Sequence, residues 1–230
     1  MENNNLFYTV LKTLGFDVYP TGARVNEGVS ASAAGKPRTQ LRYSGWSHMI
    51  NIVTIQGIRY FVDVGFGSGG PTHPVPLVHD RPMLNTRPEQ SVRLMYESIP
   101  DVTARDQKTW IYQKRNTDDE DFSPCYCFAE TEFLPLDFEV MSHYTSTART
   151  SWFTYQIVCV KWVLSEDGEE IVGETTLMDK SIKQRLLGKT EHLMEIKSEE
   201  DRLLALERHL SIKLSREEKN GVRGMVSAVK

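Results

Sequence analysis

The chain has 230 residues, of which 40% are hydrophobic and 10% aromatic, and a formal net charge of −4. That is enough apolar material for one large or two modest domains, and the negative balance gives nucleic acid or an anionic membrane surface no electrostatic support as a partner. No apolar run reaches the roughly 18 residues of a membrane span, the first residues lack the pattern of a signal peptide, and three cysteines suit a reducing compartment. A cytoplasmic protein is expected.

In chain order, ENNNLFYTVLKTLGF reads as an amphipathic helix. Leu6, Phe7, Val10, Leu11 and Leu14 form one apolar face, Asn3, Asn4 and Asn5 supply capping oxygens, and Gly15 a left-handed stop. FDVYPTGARV reads as a strand interrupted at Pro20, and the small, polar residues 27–40 as a mobile loop. The strongest β signal follows in SHMINIVTIQGIRYFVDVGFG, two apolar runs around a tight turn at Gln56-Gly57. Residues 68–88 read as a long irregular connection, residues 90–97 and 107–115 as strands, and Asp118–Asp121 as a solvated acidic turn. CYCFAETEF and TSWFTYQIVCVKWVL read as strands, with a helix in LPLDFEVMSHYTST between them; EEIVGETTLMD continues the β pattern. Ser198, with glutamates behind it and a leucine stripe after them, opens a second amphipathic helix. The sum is an α+β chain with a barrel-like sheet at its centre.

The hairpin places two chemically active residues together. With Gln56-Gly57 as a two-residue turn, Ile55 faces Ile58, and His48 and Asp63 become diagonal neighbours on one face of the sheet. Their Cα atoms are then roughly 7–8 Å apart, within reach of an imidazole–carboxylate hydrogen bond. An odd loop length would flip one of them to the other face. Two readings stand: a buried pair that only satisfies itself, or the base and orienting carboxylate of a nucleophilic triad. Ser44 and Ser47 lie on the same strand or its approach and are poorly placed as the nucleophile.

The remaining candidates read as structural. Cys125 and Cys127 alternate on one strand face, and Cys159 is flanked by apolar residues; all three read as core side chains, and a lone C-x-C makes no zinc site. GFGSGG precedes PTHPVP rather than a helix, so no helix N-terminus is there to hold a phosphate. No metal site is expected.

HMINIVTIQGIRYFVDVGFG resembles the His and Asp segment of the arylamine N-acetyltransferase family, H-x-x-x-x-V followed by V-D-V/A-G-F-G. The opening residues resemble that family's nucleophile motif, R-G-G-x-C-x-E-x-N-x-L-F, with Glu2, Asn4, Leu6 and Phe7 on its E, N, L and F. CYCFAETEFLPLDFEVMSHYTSTARTSWF resembles the later D-F-x-x-x-N-x-x-x-S-T-x-P-x-S-x-F segment. The resemblance implies a papain- or transglutaminase-like Cys–His–Asp fold in three parts. Residues 1–16 would be a remnant of a truncated N-terminal helical domain, 17–130 a central β-barrel domain, and 131–230 a C-terminal α/β lid. It implies ping-pong acyl transfer from acetyl-CoA, or a related acyl-CoA, through a cysteinyl thioester to an aromatic amine or hydrazine. His48 and Asp63 would be the triad histidine and aspartate, Phe66 and Gly67 the acceptor-pocket loop, and Ser146 and Thr147 the segment near the CoA channel.

The family cysteine falls one position before Met1, so the chain reads as beginning within the motif, and these residues alone are expected to be inactive. Arg149 stands where the family has proline, and Ser142 where it has asparagine. The alternative is a non-catalytic relative that binds an aromatic ligand or a protein partner.

Overall fold

A computed structural model gives the fold and describes residues 1–29, 42–86 and 88–229; most of the loop expected over residues 27–40 lies outside the described residues. Contacts divide the chain into two compact units, Met1–Asn85 with Glu89–Thr145, and Thr86–Pro88 with Ser146–Lys230.

The first unit opens with helix α1, Glu2–Thr13. Its N-cap is Met1, with no side-chain cap, so the asparagines sit inside the helix instead of capping it. Only part of the expected apolar face is covered. Phe7 and Leu11 pack with Tyr8 against Val18, Val53 and Val62, while Leu6, Val10 and Leu14 stay exposed. Gly15 behaves as the sequence requires, taking φ +86° after the last turn.

An antiparallel sheet of eight strands makes up the body of this unit, in the order β4-β3-β2-β1-β8-β7-β6-β5. Its long members are β1 (Asp17–Asn26), β2 (Tyr43–Ile55), β3 (Ile58–Val62), β6 (Gln90–Glu97), β7 (Thr109–Arg115) and β8 (Ser123–Phe128). The short strands β4 (Val75–Pro76) and β5 (Met83–Thr86) lie in the stretch expected to be irregular. Strand β1 runs through Pro20 without interruption. The Pro20 carbonyl points away from β2 and accepts from the Phe133 N–H, so the missing N–H of proline removes no bond to β2.

The sheet curls on itself. Strands β3 and β7 are four places apart, about 19 Å in a flat sheet at roughly 4.8 Å per strand. Yet the rings of Phe61 on β3 and Tyr112 on β7 lie 5.5 Å apart between centroids. The enclosed core holds Ile50, Ile52, Phe61, Val92, Leu94, Trp110, Tyr112, Tyr126 and Phe128. Cys125 and Cys127 do not share a face as expected. Cys125 belongs to this inner cluster, Cys127 to a separate one with Tyr43, Ile99 and Ile111. The register slips between Tyr112–Tyr126 and Gln113–Pro124, leaving Cys125 as an extra residue on β8, and that bulge turns it inward.

Helix α2, Pro135–Thr147, ends the first unit and begins the second. The long strand expected from TSWFTYQIVCVKWVL is a short 3₁₀ turn, Trp152–Thr154, then β9, Val158–Leu164. Strands β10 (Ile171–Met178), β11 (Ser181–Leu186) and β12 (Lys189–Glu195) complete a four-stranded antiparallel sheet. Helix α3, Glu199–Leu210, is capped by Ser198, whose side chain accepts from the Asp201 N–H, and buries Ala205, Leu206 and Leu210 with Leu177, Ile182 and Ile196. Helix α4, Arg216–Gly221, follows. Among the described residues, no helix is long and apolar enough to cross a membrane.

The β2–β3 hairpin has the register read from the sequence, Ile55 opposite Ile58 and Asn51 opposite Val62. Gln56 and Gly57 both have positive φ, 51° and 77°, as a two-residue turn matched to strand twist requires. Gly57→Ala should therefore destabilise the hairpin by about 1–2 kcal/mol, read as a lower urea midpoint, while Gln56→Asn should be neutral or stabilising.

Candidate functional site

The hairpin delivers His48 from β2 and Asp63 from just beyond β3, both largely buried at 7% and 4% exposure. His48 Nε2 lies 2.7 Å from Asp63 Oδ2. The imidazole therefore donates to the carboxylate through Nε2, and among the described residues nothing hydrogen-bonds its Nδ1.

Asp63 has every acceptor site occupied. Oδ2 also accepts from the Tyr126 hydroxyl at 2.7 Å. Oδ1 accepts from Asn4 Nδ2 at 2.7 Å and from the Gly65 N–H at 2.8 Å. Asn4, fully buried, fixes more than the carboxylate: its amide also donates to the Met49 carbonyl, its Oδ1 accepts from the Val64 N–H, and its backbone carbonyl accepts from Asn51. The first turn of α1 is thereby pinned beside the His48–Asp63 pair.

Aromatic rings hold the imidazole. Phe66 meets it edge-on at 5.4 Å between centroids, Tyr126 at 5.2 Å, and Phe66 and Tyr126 touch each other at 4.7 Å. Gly67 follows with φ +76°, turning the loop after Phe66. His48, Asp63, Phe66 and Gly67 thus share one neighbourhood of the first unit. Ser146 and Thr147 form the end of α2 and belong to the second unit. Ser142, on α2 within the first unit, hydrogen-bonds Glu2.

Two residues of the site were not read as such from the sequence. Asn4 presented itself as a cap, though it occupies the asparagine of the nucleophile motif. Tyr126 is hidden between two cysteines; the only signal is that a tyrosine in a central apolar strand needs a partner for its hydroxyl.

The electrostatics follow from this packing. Burial pushes the Asp63 carboxyl upward, but the charge and hydrogen bond of His48, with those of Asn4 and Tyr126, outweigh it and hold Asp63 below the usual carboxylate range. Burial drives the Tyr126 hydroxyl well above its ordinary value, reinforced by the Asp63 charge, so it remains a donor. The thiols lie elsewhere: burial pushes Cys127 up to about 12 and raises Cys159 as well. Neither is a thiolate at neutral pH. Among the described residues, no group of His, Cys, Asp and Glu could hold a metal ion.

Because the folded-state pKa of Asp63 is depressed, the stability it contributes is fully present above the ordinary aspartate value of about 3.9 and is lost as pH falls through the lower folded value. Urea unfolding across pH should show this decline below about pH 4. Asp63→Asn should flatten it and cost about 1–3 kcal/mol at neutral pH, because an amide cannot accept from all four donors.

A family model described as N-acetyltransferase matches residues 1–219. The chain is 37% identical to the N-malonyltransferase FDB2 of Fusarium pseudograminearum over 230 residues, covering 96% of this chain and 67% of the relative. It thus spans about two thirds of that protein's length. The fold is similar to that of the arylamine N-acetyltransferase from Mycobacterium abscessus, with a TM-score of 0.75 and 18% identity over 95% of this chain and 69% of that one. The Mycobacterium marinum arylamine N-acetyltransferase in complex with CoA gives a TM-score of 0.72 and 21% identity, covering 96% and 73%. A match over residues 1–219, with a barrel and a second sheet of the same fold, means that the chain belongs to the arylamine N-acetyltransferase family of acyltransferases.

Proposed function

We propose that His48 and Asp63 are the base and orienting carboxylate for a cysteine nucleophile, in acyl transfer from an acyl-CoA to an amine. The observation that carries this reading is the orientation of His48. Its Nε2 is committed to a carboxylate whose acceptor sites are all filled, which leaves Nδ1 as the nitrogen for a thiol. The helix turn pinned by Asn4 supports it, since the N-terminus of a helix lowers the pKa of a thiol beside it.

In this mechanism Nδ1 takes the thiol proton, and the thiolate attacks the thioester carbonyl of the donor. CoA leaves as its thiol, carrying the proton back from the imidazole. An amine then attacks the cysteinyl thioester, His48 takes its proton, and the N-acyl product departs as the cysteine is restored. Asp63 holds the imidazole in place and stabilises imidazolium in each half-reaction. Phe66 and Gly67 line the acceptor pocket, and Ser146 and Thr147 lie towards CoA. Residues 1–16 belong to an N-terminal helical domain, 17–130 form the central β-barrel domain, and 131–230 the C-terminal α/β lid.

The resemblance to arylamine N-acetyltransferases supports one reading, acetyl transfer from acetyl-CoA to an aromatic amine or hydrazine. The N-malonyltransferase relative favours a second reading, with malonyl as the acyl group. The free cysteines Cys125, Cys127 and Cys159 suit work in a reducing cytoplasm.

Extended upstream with the Arg-Gly-Gly-x-Cys of the family motif, the protein should gain an acyl group on incubation with acyl-CoA and lose it to an added aromatic amine, both read by mass spectrometry. His48→Asn in that extended protein should slow acylation by about 10³-fold or more. The 230 residues alone should stay unmodified. An adduct on Cys125, Cys127 or Cys159 would overturn the assignment of the thiol, and an extended protein that binds acyl-CoA without acylation would favour a non-catalytic relative.

A further inference from the structure

Strand β7 carries a cation on the wrong face for a solvated lysine. Trp110, Tyr112 and Lys114 alternate along it, and the first two are core residues of the barrel. The bulge opposite them is on β8, so the alternation of β7 itself is unbroken. Lys114 pairs with Val92 on β6, another core position, and with Ser123 on β8. It is therefore the inward-facing residue at one end of the barrel.

That end is the one holding His48 and Asp63. Tyr112, two residues before Lys114, donates its hydroxyl to the Gly69 carbonyl at 3.0 Å. Its ring lies 4.9 Å from that of Tyr126, whose hydroxyl binds Asp63. Gly69 closes the loop that begins at Gly65, on the Asp63 carboxylate, and carries Phe66 against His48. The Lys114 side chain fills the space a β-carbon on Gly69 would need, its Nζ lying 2.2 Å from that position. With φ of +87° as well, Gly69 has two reasons to be glycine. Among the described residues, no carboxylate lies within ion-pair distance of Lys114.

We propose that Lys114 is the receptor for a carboxylate at the far end of the donor's acyl group, so that the site prefers a carboxyacyl-CoA such as malonyl-CoA to acetyl-CoA; this rests on the acyl-CoA reading of the His48–Asp63 site. An acyl group ending in a carboxylate brings a negative charge towards Asp63 and the rings of Phe66, Tyr112 and Tyr126. Such a charge is poorly tolerated there without a cation to meet it. Lys114 supplies one from a rigid strand, and its ammonium needs only to turn off Gly69 to reach an incoming oxygen. A neutral acetyl group gains nothing from it. A lysine that merely plugs the barrel end would lower or raise the affinity for both donors together.

Isothermal titration of the chain with malonyl-CoA and with acetyl-CoA reads the preference as a ratio of dissociation constants. The native chain should favour malonyl-CoA by about tenfold, equal to about 1.4 kcal/mol. Lys114→Met should bring the ratio to about one, and Lys114→Arg should restore most of it, with urea unfolding showing both variants folded. A ratio near one in the native chain, or a preference kept by Lys114→Met, overturns the assignment to Lys114 and leaves the acyl-CoA reading in place. Native chain that binds neither thioester overturns both.

Discussion

A carboxylate sealed inside a barrel core survives ionised only when its lone pairs are met, and around Asp63 four donors meet them. They come from four separate parts of the chain: Asn4 in α1, His48 on β2, the Gly65 N–H after β3, and Tyr126 on β8. Removing any one leaves a buried acceptor site open, at a cost of about 1–3 kcal/mol. The site and the fold are therefore stabilised by the same contacts. Helix α1 docks where Asn4 finds its partners, and the end of β8 is fixed where Tyr126 reaches the carboxylate.

This constraint also decides what His48 can do. An imidazole with one nitrogen held by a fully engaged carboxylate has one tautomer and one orientation, and the Phe66 and Tyr126 rings prevent it from rotating away. The low local dielectric strengthens the charge interaction that follows proton uptake. With Nε2 committed to Asp63, Nδ1 is the nitrogen left to exchange a proton.

Much of this arrangement was legible because it depends on local rules. The Gln56-Gly57 turn fixed the hairpin register, and register alone brought His48 and Asp63 to one face. Ser198 marked the start of α3 because capping is a property of a few adjacent residues. What escaped depends on distant partners. Asn4 in a first helical turn looks like a cap until the strand carbonyl and carboxylate it binds are known. Strands β4 and β5 are too short for any periodicity to show, and β11 and β12 carry polar residues on both faces. A turn at Leu187-Gly188, both with positive φ, was the available signal for that second hairpin. The inward turn of Cys125 comes from a bulge, which adds a residue to one strand without marking the sequence.

Burial by itself does not make a reactive group, as Cys127 and Asp63 demonstrate in the same unit. Burial raises the Cys127 thiol to about 12, and the nearby charge of Arg24 offsets only part of this, so the sulfur stays protonated and inert. Asp63 is buried at least as deeply, yet is held in its charged form, because donors converge on it. The same distinction applies to a nucleophile. A thiol in the strands of this chain meets apolar neighbours and remains a small core side chain. A thiol at the head of α1 would instead meet the positive end of a helix, an influence that lowers a thiol pKa where burial raises it.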